Sequence, residues 1–92
     1  MTEPSSRDLH PKTGARFVFD RLESEPEPAY EVTIHLPEGR RWTGTLRWLE
    51  GRASLEPAAP ADEEIGWAHA EALKLARVLH RDPRPHMVRW RG

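Results

Sequence analysis

The chain has no cysteine, so neither a disulfide nor a thiolate metal site is open to it. No uncharged apolar run approaches the ~20 residues that a membrane-spanning helix needs. Its opening, Met1-Thr2-Glu3-Pro4-Ser5-Ser6, is polar and lacks the apolar stretch of a secretory signal. These absences together set the expectation of a cytoplasmic protein. Charge of one sign is missing too: 14 basic residues stand against 15 acidic ones, a net of −1. The strongly basic footprint of a DNA-binding domain is therefore not there. Lysine is scarce, and twelve of the 14 basic residues are arginine. Arginine forks suit carboxylates and phosphates. These arginines are scattered, however, and the chain is also rich in alanine and proline, so GC-rich codon usage explains the bias better.

Ninety-two residues make one domain at most. A chain this short buries only about two thirds of the surface it exposes when unfolded, and such domains often lean on a partner. Residues 1–15 hold Pro4, Pro11 and Gly14 with Leu9 as their only large aliphatic. They offer too little to bury and are expected to form a mobile N-terminal arm, with the folded domain spanning 16–92.

The run Arg16-Phe17-Val18-Phe19-Asp20-Arg21-Leu22 reads as a strand with Phe17 and Phe19 on one face. An acidic, proline-rich turn follows at residues 23–28. From Ala29, Tyr30, Val32, Ile34 and Leu36 alternate with Glu31, Thr33 and His35, the period of a half-buried strand. Pro37-Glu38-Gly39 suits a type I turn closed by a left-handed glycine. That turn sets Ile34 opposite Trp42, Val32 opposite Gly44 and Tyr30 opposite Leu46, so that two apolar faces coincide. Glu50-Gly51 makes the next turn, and residues 52–56 return with Ala53 and Leu55 inward. Two prolines then forbid regular pairing between 57 and 61.

Asp62 is placed to cap a helix over 63–81, with Glu63 and Glu64 in its first turn. Ile65, Ala68, Ala72, Leu75, Ala76 and Leu79 make one apolar stripe at helical spacing. Arg77, His80 and Arg81 lie near its C-terminus, where positive charge is favourable. Asp82-Pro83 stops it. Residues 86–91 read as a closing strand with Val88 and Trp90 inward. The fold class is α+β: an antiparallel sheet of four to five strands packed against one long helix, with a final strand after it.

Candidate chemistry is thin. His69 and His80 lie eleven residues apart on the helix, about 16 Å along its axis, and do not share an ion. His69-Ala70-Glu71 matches one piece of the zinc-deaminase pattern, whose thiolate ligands the chain lacks. Ser5, Ser6, Ser24 and Ser54 sit in no nucleophile elbow. Glu63 and Glu64 are adjacent on a helix and point apart. The six glycines are isolated, so there is no phosphate loop. No catalytic residue, cofactor or metal is expected, and the chain reads as a non-enzyme.

Two surfaces stand out. Trp67 lies off the apolar stripe, and with Val78, Glu71 and Lys74 it outlines a candidate interface. Arg41, Arg47, Arg89 and Arg91 alternate with tryptophans and, by strand parity, form a candidate anion-binding outer face. The same parity turns the tryptophans inward, away from the arrangement of base-stacking sheets. The expected function is a non-enzymatic module that binds another protein or a second copy of itself. A nucleic-acid or phosphate binder using the arginine face is the alternative.

Overall fold

A computed structural model describes residues 14–22 and 28–92. The expected arm lies outside these residues except for Gly14 and Ala15, as does most of the turn at 23–28. The elements are β1 (Ala15–Arg21), β2 (Ala29–His35), β3 (Arg41–Leu49), β4 (Arg52–Glu56), α1 (Glu63–Arg81) and β5 (His86–Arg91). They form a five-stranded antiparallel sheet in the order β4-β3-β2-β1-β5 with α1 across one face. Ala15, assigned by its sequence surroundings to the arm, opens β1 and is fully buried opposite Arg91. Among the described residues no helix is long and apolar enough to cross a membrane.

The β2–β3 hairpin pairs Ile34 with Trp42, Val32 with Gly44 and Tyr30 with Leu46, the expected register. The turn between them differs in detail. Glu38 has φ 64° and Gly39 φ 76°, so two successive residues are left-handed where the type I turn expects one. Leu36 N–H donates to the Arg40 carbonyl at 2.8 Å and closes the loop.

Alternation also holds in the other strands of the hairpins. Phe17, Phe19, Tyr30, Val32, Ile34 and Leu46 are fully buried on the helix face. From α1, Ala68, Ala72, Leu75, Ala76 and Leu79 meet them. The three alanines present little bulk, which leaves room for aromatic rings beside the helix. Tyr30 buries its ring and uses its polar tip: the hydroxyl donates to the Arg84 carbonyl at 2.8 Å and accepts from the Arg84 N–H at 3.2 Å. That pair pins the segment between α1 and β5 to the middle of the sheet.

β5 corrects the expected parity. Met87 pairs with Phe19 on the helix face and is buried, whereas Trp90 pairs with Arg16 on the opposite face and is 53% exposed. Val88 pairs with Val18 on that outer face as well. The segment carries apolar residues at both parities, Met87 against Val88 and Trp90, so alternation does not choose between them. Docking beside β1 does, because Phe19 demands an apolar neighbour. Arg89 and Arg91 consequently lie on the helix face.

Asp62 caps α1 as expected, accepting from the Ile65 N–H at 2.9 Å. Its other oxygen meets Arg40 Nη2 at 2.9 Å, while Arg40 Nη1 reaches Glu64 at 2.5 Å. One guanidinium thus ties the hairpin turn to the helix start. The Ile65 N–H outweighs desolvation and, helped by Arg40, holds the Asp62 carboxyl below its ordinary 3.8. A carboxyl with a lowered folded-state pKa adds stability above its unfolded value, and that stability is lost as pH falls through the folded value. We expect the melting temperature of the wild type to drop between about pH 5 and pH 2 more steeply than that of Asp62→Asn, which keeps an oxygen acceptor. Parallel melting-temperature profiles for the two proteins would contradict this linkage.

Candidate ligand-binding cleft

Trp48 is the inward residue near the end of β3, one position before the strand ends and the chain turns at Glu50-Gly51. Tyr30 meets it edge-on at 5.9 Å and 79°. On its helix side the His80 ring lies stacked at 5.6 Å and 23°. Gly51 has φ 81° and Glu50 φ 54°, so both turn residues are left-handed and the chain reverses at once into β4. This tight reversal sets Ala53 opposite Trp48.

Between this hairpin and the last two turns of α1 lies a cleft of about 650 Å³. Trp48, Ala53 and Leu73 supply its apolar lining and Arg77 and Arg81 of α1 supply charge, while Arg52 borders it from an outer-face position of β4 paired with Leu49. Leu73, Arg77, His80 and Arg81 share one side of the helix, as spacings of three and four dictate. The helix C-terminus favours positive side chains, which gives Arg77, His80 and Arg81 a local reason to be there. Among the described residues no carboxylate pairs with Arg52, Arg77 or Arg81. A second lobe of about 440 Å³ shares Trp48, Gly51 and His80 and adds Pro28 and Glu50. The cleft therefore sets the arginines of the helix end beside the stacked Trp48 and His80 rings.

The residues singled out in the sequence fall elsewhere. Arg41 and Arg47 do face outward from β3, but they stand six positions apart, about 20 Å at ~3.4 Å per residue. Asp20 and Glu31 pair across the same outer face and interrupt any basic surface. Arg89 and Arg91 are on the helix face instead. There Arg91 Nε lies 3.7 Å from Glu71, and Lys74 reaches the other Glu71 oxygen at 2.9 Å. The four arginines do not assemble into one face. Trp90, expected inward, lies outward with the Arg16 guanidinium 5.8 Å from its ring centre.

Trp67 is 38% exposed and lies outside the core cluster, whereas Val78 packs against that cluster. Trp67, Glu71, Lys74 and Val78 thus follow one helix stripe without making a continuous apolar patch. Among the described residues the other large exposed apolar side chains are Leu49 and Trp90, on the outer face of the sheet. His69 meets the Trp42 ring edge-on at 5.4 Å, so the helix histidines pack on two different tryptophans. Among the described residues no group of three His, Asp or Glu side chains is placed to hold a metal ion.

Sequence reasoning did not assemble Trp48, His80, Arg77 and Arg81. The helical part of the signal was available in the shared side of Leu73, Arg77, His80 and Arg81. The side of the sheet that meets it depends on how α1 lies across the strands, which no local pattern encodes. Comparison of the chain with protein-family models, with curated proteins and with solved structures finds no match.

Proposed function

We propose that this domain is a non-enzymatic binding module that takes an anionic, phosphate-bearing ligand in the cleft between α1 and the β3–β4 hairpin. The observation that carries this reading is the exposed pair Arg77 and Arg81 beside the cleft, without carboxylate partners among the described residues, in a chain of net charge −1. Guanidinium groups bind phosphate oxygens with directed, charge-assisted hydrogen bonds. The volume of the cleft suits a small ligand. Among the described residues its lining supplies cations and aromatic rings, and holds no serine, threonine or pair of carboxylates.

The test is titration with inorganic phosphate and pyrophosphate, followed by backbone amide shifts. Shifts are expected to cluster at residues 48–53 and 73–81 and to weaken with added salt. Arg77→Ala and Arg81→Ala should each raise the dissociation constant about tenfold, or ~1.4 kcal/mol. Absence of shifts at these residues at millimolar phosphate sinks the reading.

A second reading is favoured by Trp67 alone, which lies outside the core cluster with 38% of its surface exposed. Burial against a second copy of the chain would remove that surface from water, and two-fold dimers are the commonest homo-oligomers. Sedimentation of the wild type should then depend on concentration in the high micromolar range, and Trp67→Ala should shift the equilibrium toward monomer. A wild type that stays monomeric ends this reading, and equal dimerisation of both proteins places the interface elsewhere.

A further inference from the structure

We propose that the outer face of the sheet is the interface of a two-fold dimer, in which a second copy of the chain lies face to face on the first. Helix α1 covers one face, and among the described residues no element packs on the other. Strand register orders that outer face into rows running across the strands. A basic row holds Arg16 and Arg41, with His35 between them and Trp90 at its β5 end. The next outward row is uncharged: Val88, Val18, Thr33 and Thr43. Beyond it lies an acidic row of Asp20, Glu31 and Glu56, where His86 meets Asp20 at the β5 end. The charged rows stand two residues to either side of the uncharged one, about 7 Å at ~3.4 Å per residue.

This order fits a second copy better than any other occupant. A two-fold axis lying along the uncharged row keeps each strand in its place and exchanges the flanking rows. It sets Arg16 of each copy over Asp20 of the other and His35 over Glu31, while Val18 meets Val18. Arg41 falls over Thr45, between Glu31 and Glu56. Sheets stacked about 10 Å apart suit small residues at the centre and long arginines at the sides. Within one chain the segregation is unfavourable, because Asp20 and Glu31 are direct cross-strand neighbours of like charge. A face built only for solvent gains by alternating its charges along such pairs. A partner of single sign, whether nucleic acid or an acidic peptide, matches one row and is repelled by the other. Trp90, 53% exposed at the end of the basic row, comes to lie over His86 of the second copy and gives up surface to it. The helix face stays open, so this dimer is independent of the anion-binding cleft and of the Trp67 contact.

The test is sedimentation of the full chain up to the high micromolar range, with backbone amide shifts followed over the same concentrations. The wild type should dimerise, and its shifts should move with concentration at residues 16–20, 31–35, 41–45 and 86–90. Arg16→Asp and Asp20→Arg should each weaken the dimer at least about tenfold, since a two-fold contact is altered twice. Mixed in equal amounts, the two variants should dimerise again, because every pair between them then has opposite signs. A structural fault in either variant is not repaired by mixing. Arg16→Asp also removes the guanidinium beside the Trp90 ring, so Val18→Asp is the second variant. It brings two carboxylates together on the axis and should dissociate the dimer. Should a charge variant fail to fold by circular dichroism, the wild-type shifts and Val18→Asp decide. Trp67→Ala should leave the dimer intact. The proposal is overturned by a wild type that stays monomeric, by folded charge variants that dimerise as well as the wild type, or by a mixture of them that stays monomeric. Dissociation by Trp67→Ala, with shifts confined to 63–81, overturns it in favour of the helix contact. Failure to bind phosphate removes the anion-binding reading alone and leaves the dimer to these measurements.

Discussion

Phe19→Ala is expected to destabilise the domain by roughly 3–5 kcal/mol. Phe19 is fully buried on β1, with Val32 paired to it on one side and Met87 on the other. Removing the ring loses apolar contact with both neighbours and leaves a void that the sheet cannot close, because backbone pairing holds β2 and β5 in place on either side. For a domain of this size each kcal/mol lowers the melting temperature by about 4–8 °C. A fall of roughly 15 °C or more is therefore expected, from a total stability that is typically only about 5–15 kcal/mol. β5 should suffer first, since it is an edge strand whose core contact is Met87. Hydrogen exchange in the variant should accelerate in residues 86–91 before residues 29–35. A loss below about 1 kcal/mol would mean that Met87 does not fill the place assigned to it.

Gly44→Val is expected to destabilise by about 1–3 kcal/mol or more, although strand propensity alone argues for the opposite sign. Gly44 lies within β3, opposite Val32 and on the apolar face, where a β-branched residue ordinarily strengthens a sheet. Space reverses the outcome. The Trp42 indole folds back over Gly44, and a Cβ there would collide with Trp42 Cη2 and with the Glu56 carbonyl oxygen. The Glu56 backbone cannot withdraw without breaking its pairing with Thr45, and Trp42 is itself held in the core. Thermal unfolding of Gly44→Val and Gly44→Ala measures the effect, with alanine the smaller loss. A variant as stable as the wild type would show that the indole moves aside at no cost.

Both positions mark where sequence reasoning reaches and where it stops. Strand and helix positions were legible because period-2 and period-3.6 apolar spacing report which side of an element is dry. Asp62 was legible as a cap because capping is satisfied within a few residues by the Ile65 N–H. The β2–β3 register followed because a three-residue loop leaves the strands little freedom to slide, and two apolar faces had to coincide. The left-handed Glu38 was not legible, since turn preferences assign that role to the following glycine.

Everything that depends on contacts distant along the chain was decided by tertiary structure. β5 holds apolar residues at both parities, and only docking against Phe19 turned Met87 inward and Trp90 outward. The four arginines chosen from strand alternation were divided between two faces by that same inversion. The cleft joins residues 48–53 to residues 73–81, two segments that meet only because the helix lies across the sheet. Local spacing determines which face of an element is apolar, because that depends on backbone geometry alone. Which polar groups converge depends on crossing angle, strand order and the shape of large side chains, and these are settled only when the whole core packs.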